Sequence, residues 1–324
     1  MAVKTFYGLQ QVVREAGSVV TVGSFDGLHR GHRMILRLLQ QEAMARGSST
    51  TMVTFEPHPQ LVLQKTGQPP LYILTTLAEK IALLETLGLD RLVVIPFTPA
   101  FSQTPSDVFV RDILFRVIGM QAIVIGHDHG FGRNREGDVA TLLRLGRELG
   151  FTVHELPPLQ QGESVISSTQ IRRALLAGEI EQANAWLADT YRLSARVIRG
   201  EGRGRTIGFP TANLEPLHPQ KLIPAHGVYA VRVRLAGQEW GGMMNIGMRP
   251  TFAGSGRTLE VHLFDFTGDL YDQEVEVHFV ARLRPEMKFA TVAALQAQLQ
   301  GDRAASLRVL NAAAAPPAGQ GETG

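Results

Sequence analysis

The chain contains no cysteine, and that absence sets the first limits on its chemistry. Disulfide frameworks, thiolate nucleophiles and thiolate metal sites are excluded, so catalysis has to rest on oxygen and nitrogen groups. Long apolar runs are missing too: none reaches the roughly 18 residues that a membrane span needs. The start, MAVKTFYGLQQVVREAG, has neither an apolar h-region nor a small-residue cleavage site, so no secretory signal is expected and the cytoplasm is the expected compartment. Charge of one sign is scarce. The 32 Lys and Arg stand against 30 Asp and Glu for a formal net charge of +2, which gives little support for a nucleic-acid partner. What remains is a globular composition, 44% hydrophobic and 19% charged over 324 residues, enough chain for about two domains.

Two periods divide the chain. From residue 18 to about 186, short apolar runs (Val19 to Val22, Thr50 to Phe55, Arg91 to Pro96, Ala122 to Ile125, Phe151 to Glu155) alternate with helix-period segments closed by glycine. Those helices are HRMILRLLQQEAMARG, TLAEKIALLETLG, SDVFVRDILFRVIG and DVATLLRLGRELG. This order predicts a doubly wound parallel sheet with helices on both faces and a ligand crevice beyond the carboxyl ends of its strands. From Tyr191 to about Leu283 the alternation has period two: GVYAVRVRL puts Val231, Val233 and Leu235 on one face and Arg232 and Arg234 on the other. That reads as a small antiparallel barrel or sandwich, with a final helix in FATVAALQAQLQGDRAASLRVLNA packed against it and a disordered tail.

The first strand breaks into GSFDGLHRGH. Gly23, Ser24, Asp26 and Gly27 suit a tight turn, and Gly31 removes a side chain where the next helix begins, leaving backbone N–H groups to face an anion. His29 and His32, three apart, fall on nearly one face and can be aimed at one phosphate. Two satisfied histidines or two metal ligands would show the same spacing. The setting favours the anion, because the pair follows a buried strand and a glycine-rich turn where the crevice opens. No H-E-x-x-H run argues for zinc hydrolysis, and no G-x-x-x-x-G-K-[ST] run for a P-loop. In ISSTQIRRAL, Ser167 or Ser168 suits an N-cap and Arg172 offers a planar fork to phosphate; the plain alternative is a capped surface helix. GHDHGFGRNREGD could hold a metal, supply a base, or form a polar loop.

In the second half, GRGRTIGFPTANL has the wrong spacing for a Rossmann fingerprint, and Pro210 interrupts any helix after it. Thr211 and Asn213, two apart in an extended segment, share a face and can help hold phosphate-bound Mg²⁺; a self-capping turn is the alternative. Glu260 and Glu276 occupy equivalent places in EVHLF and EVHFV, and pattern does not choose between them.

Taken in order, GSFDGLHRGH, TFEPHP, GHDHGFG and ISSTQIRRAL resemble the HxGH nucleotidyltransferase superfamily and, more closely, the bacterial bifunctional riboflavin kinase/FMN adenylyltransferases, also called FAD synthetases. GFPTAN, GVYA, NIGMRPTF and LEVHLFDFTGDLY resemble that family's kinase half, and the likeness runs from about residue 18 to residue 300. It implies a Rossmann-like nucleotidyltransferase domain over 1–186, a riboflavin kinase β-barrel with a C-terminal helix over 187–311, and a tail over 312–324. It implies that riboflavin is phosphorylated to FMN by ATP and FMN adenylylated to FAD with release of pyrophosphate. By resemblance, His29 and His32 act on the adenylyl transfer, while Gly23, Phe25, Gly31, Ser167, Ser168, Thr169 and Arg172 hold ATP and its phosphates. In the kinase half Gly208 joins the ATP site, Thr211 and Asn213 hold Mg²⁺, and Glu260 is the base for the ribityl hydroxyl. His58, Asp128, Phe131, Asn245 and Arg249 are the flavin contacts.

The implied partners are therefore riboflavin, FMN, FAD and ATP, with no nucleic acid and no membrane. Three departures stand out: DHGFG where the family often has DFRFG, DLYD with Asp272 where it usually has DLYG, and LADTYRLSARV with Ala195 in place of a more glycine-rich junction. A flavin-sensing or nucleic-acid-binding barrel is the competing class. Against it, the barrel sequence lacks the interleaved rings on which bases stack, and the whole chain is only 7% aromatic.

Overall fold

The computed structural model describes residues 2–64, 67, 69–127, 130–161, 164–200, 207–251 and 254–313. They belong to two compact units, Met1–Ser168 and Thr169–Gly324. Among the described residues no helix is long and apolar enough to cross a membrane.

The first unit is built on β1 (Lys4–Tyr7), β2 (Ser18–Val22), β3 (Thr50–Glu56), β4 (Arg91–Pro96), β5 (Met120–Gly126) and β6 (Thr152–Leu156), in the order β1-β4-β3-β2-β5-β6. All five pairings are parallel. Five of the strands lie where the apolar runs put them. β1 is an addition: its run KTFY is too short and polar to stand out, yet it pairs with β4 from Lys4↔Arg91 to Tyr7↔Val94. A two-residue ladder, β7 (Gln160–Gln161) with β8 (Ser164–Val165), follows the sheet.

Alternation along the strands feeds two separate cores. Val20, Val22, Val53, Val93, Ile95, Ile123 and Ile125 face one side, and Val19, Met52, Leu92, Val94, Ala122 and Val124 the other. The second side is covered by α1 (Arg30–Arg46) and α3 (Leu77–Thr86), which follows the short α2 (Pro59–Val62). Leu39, Met52, Leu84 and Leu92 are fully buried there, each worth about 1.5–3 kcal/mol. α1 stops at Gly47, whose φ of 59° is left-handed, as its position in the sequence suggested.

The first side is covered by Phe109–Ile118, which continues the short α4 (Ser106–Val108), and by α5 (Val139–Leu149). Here the structure differs from an ordinary helix: Phe109–Ile118 is a π-helix. Its buried residues Phe109, Val110, Ile113, Leu114 and Ile118 recur at steps of four and five, nearer to the wider i→i+5 winding than to a 3.6-residue period.

The second unit begins with α6 (Ser168–Ala177) and α7 (Ile180–Leu187), followed by β9 (Tyr191–Ile198), β10 (Ala212–Pro216), β11 (Gly227–Leu235), β12 (Gln238–Thr251), β13 (Gly254–Leu263) and β14 (Glu274–Arg284). The six strands close into an antiparallel barrel, β10-β13-β12-β11-β14-β9, because β9 bonds to both β14 and β10. Tyr229, Val231 and Val233 fill the interior with Val277 and Phe279, while Arg232 and Arg234 turn outward onto Glu239 at 3.0 and 3.2 Å.

The last helix, α8 (Val292–Ala312), covers part of the outer face, with Leu310 packed on Ala230, Met243 and Phe264. Arg284 Nε and its terminal nitrogen clamp the buried Asp302 carboxylate at 3.0 and 2.7 Å. Asp272, at the DLYD departure, has φ 63°, a left-handed conformation that aspartate tolerates better than most residues. Both tryptophans, Trp186 on α7 and Trp240 on β12, belong to this unit. Residues 314–324 of the expected tail lie outside the described residues.

Candidate active sites of the two units

The strand order of the first sheet reverses between β2 and β5, so the crevice at its carboxyl edge opens where β2 ends. The chain leaves β2 through a turn in which Phe25 (φ 46°), Gly27 (φ 91°) and Leu28 (φ 43°) are all left-handed. Non-glycine residues in that region cost of order 1–3 kcal/mol each and persist only where neighbours over-determine them. Those neighbours are present. The buried Asp26 carboxylate accepts the N–H groups of Leu74 and Thr75 at 2.9 Å, Gly27 N donates to Thr75 Oγ1 at 3.0 Å, and Arg33 Nε donates to the Leu28 carbonyl at 3.1 Å. Asp26 is therefore occupied as a backbone clamp.

The two histidines are stacked. Their ring centroids lie 3.6 Å apart with an interplanar angle of 20°, and the Phe25 ring meets His32 edge-on at 5.0 Å. His29 is the N-cap of α1: its Nδ1 accepts the His32 backbone N–H at 3.4 Å. Gly31 acquires a second reason beyond free N–H groups, since a Cβ there would sit 3.2 Å from His29 Cε1. Gly23 likewise leaves room for the Phe25 ring, 3.1 Å from where its Cβ would be. Burial first, then His29 and Lys80, hold His32 well below the ordinary histidine range, so the His32 ring is neutral near pH 7.

Ser168 Oγ donates to the Asp26 carbonyl at 2.8 Å, tying Ser168 to the same turn, and Ser167 directly precedes α6. Thr169 and Arg172 lie on α6, in the second unit; Thr169 is exposed and Arg172 half-buried. His58 caps α2, its Nδ1 accepting the Gln60 N–H at 3.2 Å just beyond the end of β3. Phe131 is 7% exposed and ends a row of rings, Phe55–Phe97–Phe101–Phe109–Phe131, with successive centroids 5.6, 5.9, 6.2 and 6.2 Å apart. Asp128 lies outside the described residues.

Sequence reasoning missed that aromatic row and the buried Lys80. The second left a trace: in TLAEKIALLE, Lys80 falls three residues after Leu77 and four before Leu84, on the apolar stripe where a charge has to be paired.

In the second unit the site residues meet on the outer face of the barrel. Glu260 on β13 is opposed by Asn213 on β10 and by Asn245 on β12. Thr211 Oγ1 donates to Glu260 Oε2 at 3.3 Å. The segment carrying Thr211 is laced to the same strand face: His262 Nδ1 meets the Pro210 carbonyl at 2.7 Å, and its ring lies 5.4 Å from Phe209. Gly247 lies beneath a second carboxylate, Glu286, with Asn245 and Thr258 beside it; a Cβ there would come within 2.6 Å of Glu286 Oε1. Gly208 has φ 83° in the loop before Phe209, and Arg249 lies on the backbone of β12 opposite Gly256. Residues 201–206 of the glycine-rich flap lie outside the described residues.

The structure separates the two glutamates that pattern could not. Glu276 receives a 2.6 Å hydrogen bond from His278, with Arg192 and Arg234 at 3.7 and 3.8 Å, and the His278 bond is the main reason its carboxyl is held below the usual range. Glu260 accepts from the Thr211 hydroxyl, and Asn213 and Asn245 stand opposite it in the ladder.

The donors around Glu260 are oxygen-bearing groups of the kind Mg²⁺ takes. Among the described residues no group of three or more His, Cys, Asp or Glu is placed to hold a metal ion by itself.

Comparison with known proteins agrees with this division. A family model described as FAD synthetase matches residues 12–170, and one described as riboflavin kinase matches residues 187–310. Together they define a two-domain transferase. A relative from Escherichia coli K12, named bifunctional riboflavin kinase/FMN adenylyltransferase, is 38% identical over 301 residues, covering 93% of this chain and 95% of its own. Relatives of the same name from Pseudomonas fluorescens and Haemophilus influenzae are 38% and 39% identical, covering 93% and 88% of this chain and 94% and 92% of their own. The chain belongs to the bifunctional riboflavin kinase/FMN adenylyltransferase family. A crystal structure described as a macrolide-efflux protein from Streptococcus pneumoniae has the same fold, with a TM-score of 0.85 at 29% identity over 95% of this chain and 99% of that one.

Proposed function

We propose that this chain phosphorylates riboflavin to FMN with ATP in residues 187–311 and adenylylates FMN to FAD with a second ATP in residues 1–186. The observation that carries the reading is the span of the likeness: relatives bearing both activities in their name align over 93% of the chain and so take in both sites.

In the kinase step, Glu260 takes or orients the proton of the riboflavin 5′-hydroxyl, which attacks the γ-phosphate of ATP; FMN and ADP result. Thr211 and Asn213 hold the phosphate-bound Mg²⁺, Gly208 lets the loop approach ATP, and Asn245 and Arg249 border the flavin. Bound Mg²⁺ supplies charge neutralisation. In the adenylylation step, a phosphate oxygen of FMN attacks the α-phosphate of ATP and pyrophosphate leaves. His29 and His32 donate to the oxygens where charge grows, with backbone around Gly23, Phe25 and Gly31 completing the cradle and no covalent enzyme intermediate. Ser167, Ser168, Thr169 and Arg172 take the remaining phosphates, and His58, Asp128 and Phe131 the flavin. The cytoplasm, where ATP is supplied, is the proposed compartment.

Incubation with riboflavin, ATP and Mg²⁺ followed by chromatography tests the reading. FMN and then FAD are expected; FMN alone, or neither product, overturns it.

A further inference from the structure

One buried charge at the β2–α1 turn has no part in the steps above. Lys80, on α3, is 4% exposed, and its helix neighbours Leu83 and Leu84 pack into the apolar core. Its Nζ donates to the Ser24 carbonyl at 2.6 Å and to Thr54 Oγ1 at 3.1 Å. Thr54 Oγ1 itself donates to the Ser24 carbonyl at 3.4 Å, so the three groups close a ring around one backbone oxygen. The carboxylates whose charge acts on the ammonium come from the turn, Asp26, and from the end of β3, Glu56. An ammonium is costly to bury, and an apolar side chain of similar volume would fill the space without that cost.

What the ammonium holds explains its place. The Ser24 carbonyl immediately precedes the left-handed stretch Phe25, Gly27 and Leu28, which delivers the chain to His29. We propose that Lys80 is a positioning residue for adenylyl transfer: from beneath the turn, its ammonium fixes the Ser24–Leu28 backbone that presents His29 and His32 to the nucleotide. This rests on the adenylyltransferase reading of the first unit.

The charge has a second effect. Among the described residues, His32 faces the His29 ring, the Phe25 ring and the charge of Lys80, and both His29 and Lys80 work against a proton on it. Removing the ammonium makes His32 easier to protonate. The acid limb of the pH–kcat profile for FAD formation then moves to higher pH.

The test compares full-length wild type, Lys80→Met and Thr54→Val for FAD formation from FMN and ATP, with riboflavin phosphorylation measured on the same samples. Lys80→Met is expected to lower kcat for FAD by about tenfold or more while KM for FMN and ATP stays within about twofold, because an orientation and not a binding contact is lost. Its acid limb moves upward and its kinase rate is unchanged. Thr54→Val keeps the ammonium but opens the ring, and is expected to lower kcat about threefold with the limb in place. It decides the matter if Lys80→Met does not fold by circular dichroism, an unchanged kcat in Thr54→Val then overturning the proposal. In a folded Lys80→Met, an unchanged kcat, or a lowered one with an unmoved limb, also overturns it. Wild type that makes no FAD from FMN overturns the adenylyltransferase reading itself, an outcome visible before either variant is assayed.

Discussion

Replacing Gly31 by alanine sets stability and activity against each other. On helix propensity alone, Gly31→Ala gains about 0.5–1 kcal/mol, and Gly31 has no positive φ to forbid it. The added Cβ, however, would lie 3.2 Å from His29 Cε1 and 3.3 Å from Nδ1. Both distances are shorter than the about 3.5–4.0 Å at which such atoms pack. His29 has little room to yield, because its ring is stacked on His32 at 3.6 Å and its Nδ1 caps α1. Rotating it off its rotamer by about 30° costs about 0.5–1.5 kcal/mol, so the two terms nearly cancel in stability. They do not cancel at the site. A misplacement of about 1 Å can cost about a hundredfold in rate, and a few tenths of an ångström about tenfold. Thermal melts should therefore place the variant within about 1 kcal/mol of wild type, while FAD formation from FMN falls about tenfold and riboflavin phosphorylation is unaffected. FAD formation within about twofold of wild type would refute the idea that Gly31 is there to seat the His29 ring.

Other perturbations separate the two halves and probe their cores. The double variant His29→Ala/His32→Ala should abolish FAD formation yet still yield FMN from riboflavin, whereas Glu260→Ala should stop FMN formation and still convert supplied FMN to FAD; chromatography of both reactions shows whether the pattern is reciprocal. Because the folded-state pKa of His32 lies well below its unfolded value of 6.5, the unfolded chain binds that proton first as pH falls. The stabilisation tied to neutral His32 is thus complete above that value and is lost as pH drops below it, and His32→Phe should flatten the pH dependence of the melting temperature in that range. Asp302→Ala strands the Arg284 guanidinium beside α8, with an expected loss of about 3 kcal/mol in urea unfolding; Arg284→Met with Asp302→Leu should recover much of it, and equal losses in both would contradict the buried-pair account.

The sheet of the first unit was legible because its inner strands, such as β2, are buried on both faces and its helices end on glycines such as Gly47. β1 was not, since KTFY has no apolar alternation and takes its strand form from β4. Period two showed the barrel's faces but not its closure, which depends on β9 reaching both β10 and β14, a long-range pairing that no local pattern encodes. Residues of the HxGH turn were visible as a string, but the ring stack and the capping role of His29 are matters of rotamer. Asp26 reads as a turn residue until its carboxylate is found on the Leu74 and Thr75 amides. Glu260 and Glu276 are alike in sequence and differ in their partners: the His278 bond and the Arg192 and Arg234 charges at Glu276, the Thr211 hydroxyl and the ladder positions Asn213 and Asn245 at Glu260.

The placement of Trp186 and Trp240 makes the molecule optically lopsided. Tryptophan emission reports on the barrel unit alone, while the unit that carries His29 and His32 has only tyrosine and phenylalanine rings. Where two units lose structure at different temperatures or denaturant concentrations, a fluorescence-monitored curve follows one transition and circular dichroism follows both. Disagreement between the two probes would then measure how independently the halves unfold, without any label being added to the chain.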